Sequence, residues 1–317
     1  MRTPSVRIFF IMTFQEFSSS EKARRPHYLV LGHPIDHSLS PLMHQTALDY
    51  YGLDASYHAV DLQPGEMELF SDWLNNELFL GANVTIPYKQ RFLDLADRHD
   101  SSVRESGSLN TLVRDREEWA GYNTDIDGFL TPLLSKENDL RGMSAILFGS
   151  GGASRAVQVG LRRLKMEKIY IVSRTPASAE EGERAASSAE VNPDVGASGQ
   201  VSYTGYEDWP RYAEEAALVV NATPLGMLPG IESSPVKTGQ EQLLKGKVCY
   251  DLVYNPMHTR FLQQAEEAGA ETIGGIDMFI GQGARSFEYW TGRKMPVEKV
   301  KALIVEELRM SESESDH

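Results

Sequence analysis

The chain has 317 residues, enough for two domains of ordinary size, and 41% of them are hydrophobic, which excludes an intrinsically disordered protein. The formal net charge of −14 argues against a nucleic-acid partner. One cysteine excludes an intrachain disulfide, and no apolar run reaches the length of a membrane span, so we expect a soluble, cytoplasmic protein.

The N-terminal segment is predicted to be a flexible or loosely attached extension over 1–25, because no cleavage site follows its short apolar run. The first strand is predicted over 27–31. A helix follows it, with Ser40 as the N-cap and Pro41 as the first helical residue, and Gly52 ends this helix.

Strands and helices then alternate along the chain. The predicted elements are strands at 56–60 and 79–86, helices at 64–76 and 87–97, and a hairpin formed by 108–114 and 118–122. This alternation is typical of one α/β domain, for which we expect the bounds 26–125.

Two serines surround the start of the first predicted helix. Hydroxyls and free amides at a helix N-terminus can bind an anion, so Ser38 and Ser40 are candidates for holding a carboxylate. The alternative is that Ser40 only caps the helix and Ser38 only belongs to the preceding turn.

Further polar residues lie at the ends of the next strands. Asn83 and Thr85 alternate on one strand face, and Lys89 follows where the strand stops. Lys89 is either a catalytic acid or base or a solvated lysine. Asn110 opens one hairpin strand, and Asp125, which follows its partner, is either functional or an N-cap.

A complete βαβ unit occupies the middle of the chain. A short apolar strand at 145–148 leads to Gly149, Gly151 and Gly152, and a helical pattern then leads to a second strand at 169–172. The glycines allow a tight turn in which backbone amides approach a pyrophosphate at the helix N-terminus. The unit therefore predicts dinucleotide binding.

The end of the second strand indicates which dinucleotide is bound. NAD enzymes usually have an acidic residue there, whereas this chain has Ser173, Arg174 and Thr175. A guanidinium and two hydroxyls suit a 2′-phosphate, which predicts NADP rather than NAD. The alternative is a glycine-rich loop followed by a solvated arginine.

The remaining elements are strands predicted at 218–221, 248–253 and 271–273, followed by an amphipathic helical part at 276–309.

The motifs resemble the shikimate dehydrogenase family in order and spacing over residues 27–305. They are Gly-x-Pro-x-x-x-Ser-x-Ser-Pro, Asn-Val-Thr-x-Pro-x-Lys, Asn-Thr, Asn-Thr-Asp, the glycine-rich unit, Asn-Ala-Thr-Pro-Leu-Gly-Met, Asp-Leu-Val-Tyr-Asn-Pro, Gly-Gly-Ile-Asp-Met with Gln282, and Phe-x-x-Trp-x-Gly. Agreement of so many short motifs in one order is specific.

The resemblance implies a two-domain α/β enzyme that uses NADPH to reduce 3-dehydroshikimate reversibly to shikimate, on the pathway to chorismate and the aromatic amino acids. The implied parts are a substrate domain at 26–125, a Rossmann-type NADP-binding domain at 126–274, C-terminal helices at 275–310 that return to the first domain, and an acidic tail at 311–317. The implied partner is the small-molecule substrate, with no metal, nucleic acid or membrane, in a monomer or homodimer.

The resemblance also implies site residues. Lys89 and Asp125 are the implied catalytic pair. The substrate would contact Ser38, Ser40, Asn83, Thr85, Lys89, Asn110, Asp125, Tyr254 and Gln282. The cofactor would contact Gly149, Ser150, Gly151, Gly152, Ala153, Ser173, Arg174, Thr175, Asn221, Ala222, Thr223, Met227, Leu252 and Gly275.

Some positions depart from the family pattern. Ser173 replaces a common asparagine, and Gly283 follows Gln282 where alanine is frequent, a form that also occurs in the quinate/shikimate branch. A quinate/shikimate dehydrogenase that uses NAD or both cofactors is therefore a competing hypothesis. Two more hypotheses are a non-catalytic paralogue, which would be expected to lack Lys89 or Asp125, and an NADP oxidoreductase of folate chemistry.

Overall fold

The computed structural model describes residues 11–36, 38–176, 178 and 199–315. The strands are β1 (Met12–Thr13), β2 (His27–Gly32), β3 (Ser56–Asp61), β4 (Phe79–Val84), β5 (Arg98–His99), β6 (Thr111–Asp115), β7 (Glu118–Tyr122), β8 (Ser144–Phe148), β9 (Lys168–Val172), β10 (Gln200–Thr204), β11 (Ala216–Asn221), β12 (Val248–Asp251) and β13 (Glu271–Ile273). The α-helices are α1 (Phe14–Ser18), α2 (Ser40–Tyr50), α3 (Met67–Trp73), α4 (Ser101–Ser106), α5 (Asp125–Leu130), α6 (Glu137–Leu140), α7 (Gly152–Arg163), α8 (Arg260–Glu267), α9 (Ile276–Thr291) and α10 (Val297–Ser315). Short 3-10 helices lie at Glu21–Arg24, Pro64–Glu66, Arg91–Leu95, Thr131–Lys136, Trp209–Tyr212 and Glu241–Leu244.

The chain divides into two compact units. The described residues of the first unit fall within Met1–Val103, Ser108–Thr124 and Gly283–His317, and those of the second within Arg104–Gly107 and Asp125–Gln282. The described residues from Gly283 onward belong to the first unit, whereas the predicted C-terminal segment begins at 275. The second unit differs from the predicted range 126–274, because it includes Asp125 and extends to Gln282.

The first unit is built on a seven-stranded sheet with the order β1-β3-β2-β4-β6-β7-β5. The strands β1, β3, β2 and β4 are parallel, whereas β6 is antiparallel to β4 and β7. All residues of β2 are buried, as expected for a parallel strand covered on both faces. Because β2 and β4 are parallel, the segments that follow them start from the same edge of the sheet.

The N-terminal segment packs into the core of the first unit. β1 pairs with β3, and the rings of Phe14 and Phe17 on α1 are fully buried. Their spacing of three residues places both rings on one side of the short helix. The carboxylate of Glu66 accepts hydrogen bonds from the backbone amides of Phe14 (3.3 Å) and Gln15 (2.9 Å).

The prediction of a loosely attached extension over 1–25 is therefore wrong for residues 11–25. Residues 12–17 supply an edge strand and two core aromatics, and β1 covers the edge of β3 that would otherwise expose unpaired backbone groups. Residues 1–10 lie outside the described residues.

Two local predictions also need correction. Leu39, not Ser40, is the N-cap of α2, and Ser40 is its first residue. The strand predicted to reach 86 ends at Val84, and the helix predicted over 87–97 is only a 3-10 helix, Arg91–Leu95.

The second unit has a six-stranded parallel sheet with the order β10-β9-β8-β11-β12-β13. Numbered within the unit, this is the order 3-2-1-4-5-6 of a doubly wound dinucleotide-binding domain. The predicted α/β class with a Rossmann-type domain is confirmed. The strand β10 was not predicted.

The C-terminal part of α9 packs against the hairpin of the first unit. The indole nitrogen of Trp290 donates a hydrogen bond to the Leu112 carbonyl (2.8 Å), and Tyr289 stacks on Tyr122 with 4.0 Å between ring centroids. The following helix α10 continues to Ser315, so the predicted acidic tail at 311–317 begins inside a helix. Within the described ranges, no helix is long and apolar enough to cross a membrane.

Candidate functional site

A buried polar cluster lies where β4, β6 and α9 meet in the first unit. Its centre is Asn83, which is only 6% exposed. The amide nitrogen of Asn83 donates to the hydroxyls of Ser286 (3.0 Å) and Thr111 (3.2 Å), and its carbonyl oxygen accepts from the Tyr57 hydroxyl (2.7 Å). His44 on α2 also interacts with the Asn83 side chain, so the cluster extends to that helix.

Asn110 belongs to the same cluster. Its side-chain oxygen accepts from the backbone amide of Thr124 (2.8 Å) and from the Thr111 hydroxyl (2.9 Å). The Ser286 hydroxyl lies 2.8 Å from the Thr111 hydroxyl and 3.1 Å from the Thr124 hydroxyl. Satisfied networks of this kind hold side chains in one orientation, which is what a site for a polyhydroxylated ligand needs.

The predicted residues Thr85 and Lys89 follow β4 and are partly exposed. The Tyr88 amide donates to the Thr85 carbonyl (2.9 Å), which folds the chain into a tight turn before Lys89. The Leu109 amide donates to the Lys89 carbonyl (2.8 Å), so the Lys89 backbone lies beside the strand that begins after Asn110. The structure therefore brings Asn83, Thr85, Lys89 and Asn110 to one region.

Ser38 and Ser40 lie at the start of α2, on the segment that follows β2. The Ser38 hydroxyl accepts a hydrogen bond from the Ser40 amide (3.3 Å), and Ser40 interacts with the Tyr57 hydroxyl. His44, one turn further along α2, stacks on Tyr57 with 4.4 Å between ring centroids. Burial lowers the pKa of His44 to about 3, so this ring is neutral in the folded protein.

Gly283 packs against α2 where alanine is frequent in the family. A β-carbon on residue 283 would lie 2.6 Å from the sulfur of Met43, a distance that real β-carbon contacts essentially never show. Met43 is fully buried, so the glycine provides the space that this side chain occupies.

The other predicted substrate residues belong to the second unit. Asp125 is the first residue of α5 and is 7% exposed. The side-chain amide nitrogen of Gln282 donates to the Phe279 carbonyl one turn earlier in α9 (2.8 Å), and the Tyr254 ring stacks on Phe279 with 4.5 Å between centroids.

The glycine-rich turn lies between β8 and α7, as predicted. Gly149 has φ of +107°, a conformation that side chains other than glycine rarely adopt, and a β-carbon there would lie 3.0 Å from the Ala222 carbonyl. Gly151, Gly152, Ser150 and Ala153 complete the turn and open the helix; a β-carbon on Gly151 would meet open space. The backbone of this turn is therefore accessible to a ligand at the N-terminus of α7.

The predicted 2′-phosphate residues follow β9. Arg174 and Thr175 are exposed, whereas Ser173 is buried and its hydroxyl has no hydrogen-bond partner among the described residues. Burial raises the pKa of Tyr206, and the neighbouring Arg174 guanidinium partly opposes this rise. Tyr206 stacks on Phe148 at the end of β8 with 5.8 Å between centroids.

The segment after β11 lies beside the glycine-rich turn. We refer to residues 222–227 as the 222–227 loop; it contains the predicted residues Ala222, Thr223 and Met227 and follows Asn221. The Ala222 amide donates to the Phe148 carbonyl (2.9 Å), which joins the ends of β11 and β8. Two predicted cofactor residues remain, Leu252 and Gly275. The Leu252 backbone amide donates a hydrogen bond to the Asn221 carbonyl (3.0 Å).

The second unit thus fits NADP. A β-carbon on Gly275 would lie 2.5 Å from the Leu252 carbonyl, so only glycine allows this close backbone approach. The open turn at Gly151, the Ser173 hydroxyl, which lacks a hydrogen-bond partner in the described part of the chain, and the exposed Arg174 guanidinium suit a pyrophosphate and a 2′-phosphate. Among the described residues, no group of histidine, cysteine, aspartate and glutamate could hold a metal ion.

Several site residues were missed by sequence reasoning. Tyr57, Ser286, Asp251 and Thr259 make central hydrogen bonds, but their partners become evident only in the folded structure. One usable signal existed, because Ser286 lies four residues after Gln282 and therefore on the same helix face.

Comparisons with known proteins agree with these features. The chain matches the shikimate dehydrogenase substrate binding domain over residues 30–112 and the shikimate 5′-dehydrogenase C-terminal domain over residues 275–304. It is 36% identical over 283 residues to the shikimate dehydrogenase (NADP(+)) of Synechocystis sp., a match covering 89% of this chain and 96% of the relative. It is 40% identical over 269 residues to that of Salinibacter ruber, covering 84% and 92% respectively.

A solved structure shows the same architecture. The crystal structure of shikimate 5-dehydrogenase from Thermus thermophilus, in complex with NADP(H) and shikimate, has a TM-score of 0.73 and 32% sequence identity. The match covers 90% of this chain and 98% of that chain. Identity above 30% over most of both chains, with the predicted motifs in the predicted places, shows that the chain belongs to the shikimate dehydrogenase family.

Proposed function

We propose that the protein catalyses the NADPH-dependent, reversible reduction of 3-dehydroshikimate to shikimate, in the pathway to chorismate and the aromatic amino acids. The observation that supports this most directly is the pairing of a 3-2-1-4-5-6 sheet with Arg174 after β9, where NAD enzymes have an acidic residue. The absence of that acid also makes a quinate/shikimate dehydrogenase with NAD preference the weaker hypothesis.

Reduction of a ketone requires a hydride at carbon and a proton at oxygen. The cofactor, when bound, supplies the hydride. Lys89 is the proposed proton donor, because an ammonium within hydrogen-bond reach of the carbonyl oxygen is a sufficient acid. Asp125 is the proposed second member of the catalytic pair.

The remaining proposed roles follow from chemistry. Ser38 and Ser40 would bind the substrate carboxylate through hydroxyls and amides at the start of α2. The ring hydroxyls would be bound by Asn83, Thr85, Asn110, Asp125 and Gln282, with Tyr254 near the substrate. The polar cluster supports this proposal, because Tyr57 and Ser286 hold the Asn83 amide in one orientation. We further propose that the enzyme acts in the cytoplasm as a monomer or homodimer.

The direct test is NADPH oxidation in the presence of 3-dehydroshikimate, with the oxidation of quinate by NAD⁺ as the comparison reaction. We expect Lys89→Met to lower kcat by roughly 10²–10⁴-fold while the dissociation constant for NADP⁺ stays unchanged. Gln90→Ala is the matched control, since Gln90 is the exposed neighbour of Lys89. A wild-type enzyme inactive on 3-dehydroshikimate would contradict the proposal, as would a Lys89→Met variant that retains full kcat.

A further inference from the structure

Asp251, at the end of β12, is a fully buried carboxylate outside the proposed substrate and cofactor contacts. Its oxygens accept three hydrogen bonds, from the Asn221 amide nitrogen (2.9 Å), the Val253 backbone amide (3.0 Å) and the Thr259 hydroxyl (2.6 Å). Burial raises the pKa of Asp251 to about 7, and the three donors oppose that rise. A carboxylate this buried is retained only where its hydrogen bonds are satisfied.

Asp251 determines how the Asn221 side chain is oriented. Because the amide nitrogen of Asn221 faces Asp251, its carbonyl oxygen faces the other way and accepts from the Thr223 amide (3.0 Å) and the Thr223 hydroxyl (2.6 Å). The same amide nitrogen also donates to the Leu225 carbonyl (3.1 Å). The first half of the 222–227 loop is therefore built on one asparagine whose orientation Asp251 sets.

Asp251 also connects this loop to a helix. Thr259, its hydroxyl donor, is the N-cap of α8 and accepts from the Leu262 amide (3.3 Å). A β-carbon on Gly226 would lie 3.3 Å from the Thr259 β-carbon, so the second half of the loop packs on the same threonine. The carboxylate thus joins β11, the 222–227 loop and the start of α8.

We propose that Asp251 is a positioning residue that holds the 222–227 loop in place for the nicotinamide half of NADP. In a doubly wound sheet, each set of three strands serves one mononucleotide half, and the dinucleotide crosses between them. The strands β8, β9 and β10, with Arg174, form the adenosine half. β11 and β12 belong to the other half, and the 222–227 loop approaches the crossing point, since a β-carbon on Gly149 would lie 3.0 Å from the Ala222 carbonyl.

The inference rests on the proposed use of NADP. It predicts that a change at the Asp251 hydrogen bonds weakens binding of the nicotinamide half of the cofactor more than binding of the adenosine half. Thr259→Val removes the hydroxyl donor while nearly preserving side-chain volume. We expect this variant to bind NADP⁺ roughly tenfold more weakly, the order expected when a hydrogen bond to a charged group is lost, and to bind 2′,5′-ADP within about twofold of wild type. Calorimetric titration with each ligand measures both constants without turnover.

Two further variants serve as controls. Thr259→Ser retains the hydroxyl and should restore NADP⁺ binding to near the wild-type value. Arg174→Ala should weaken the binding of NADP⁺ and of 2′,5′-ADP to the same extent, because both ligands carry the 2′-phosphate. Asp251→Ala is the more drastic change, and its melting temperature is to be measured first, because it leaves three buried donors without an acceptor.

The outcomes separate the two proposals. Equal weakening of NADP⁺ and 2′,5′-ADP by Thr259→Val would overturn the positioning role, because it would indicate a general loss of structure. Unchanged binding of both ligands would overturn it equally. A wild-type protein that binds neither ligand would instead overturn the proposed use of NADP.

Discussion

The docking of the N-terminal segment leads to a quantitative prediction for Phe17→Ala. The Phe17 ring is fully buried, and its centroid lies 5.2 Å from that of His27, 5.5 Å from that of His58 and 6.1 Å from that of Trp73. Truncating a buried phenylalanine costs about 3–5 kcal/mol, because transfer free energy is lost and a cavity remains. At about 2–4 °C per kcal/mol for a unit of this size, the melting temperature should fall by roughly 6–20 °C.

Scanning calorimetry tests this prediction, because it separates the unfolding transitions of the two units if they melt independently. Gln15→Ala is the matched control, since Gln15 lies on the same helix with an exposed side chain, and we expect it to change stability by no more than about 0.5 kcal/mol. If Phe17→Ala melted at the temperature of the control, the segment would not be contributing to the core.

Three further predictions concern the cofactor, pH and packing. Arg174→Ala should raise the KM for NADPH by roughly 10–100-fold and that for NADH far less, and equal effects would show that Arg174 does not bind the 2′-phosphate. Burial lowers the pKa of His58 to about 4 from 6.5, so its stabilising contribution is present above pH 6.5 and is lost as the pH falls towards 4. His58→Gln should reduce the slope of melting temperature against pH over that range, with the buried His44 contributing to the slope that remains, and an unchanged slope would exclude His58 as a source. Gly283→Ala should destabilise the protein by about 1–3 kcal/mol, and Met43→Ala in the same chain should remove most of that penalty, whereas simply additive effects would refute the contact.

The parts of the fold that were predicted correctly are those with local signals. The βαβ unit is an example, since two apolar strands and a turn at Gly149 need no information from elsewhere in the chain. The docking of Phe14 and Phe17 was missed because their partners, among them Glu66 and Phe70, lie some fifty residues further along the chain. The local sequence of this segment shows only that it contains apolar residues, and it does not show which distant residues they pack against.

The residues of the candidate site divide in the same way, into those with a local sequence signal and those whose partners are distant in the sequence. Asn83, Lys89 and Arg174 could be singled out as candidates because each lies in or shortly after a recognisable strand. Ser286 could not be connected to Asn83 from sequence, since 203 positions separate them and the hydrogen bond exists only once α9 has packed on the sheet. Asp251 could be quoted within a motif, but its three donors become apparent only in the folded second unit.

The composition of the first unit has a consequence for how the protein matures during synthesis. The second unit, Asp125–Gln282 with a short piece of α4, is fully translated before residue 283, whereas the first unit also contains described residues of 283–315. Domains fold as units as they emerge. Until Ser286 emerges, the Asn83 amide lacks one of its hydrogen-bond acceptors. The half of the molecule that is translated first is therefore the half that is finished last, and its polar cluster is completed only as the C-terminal helices leave the ribosome.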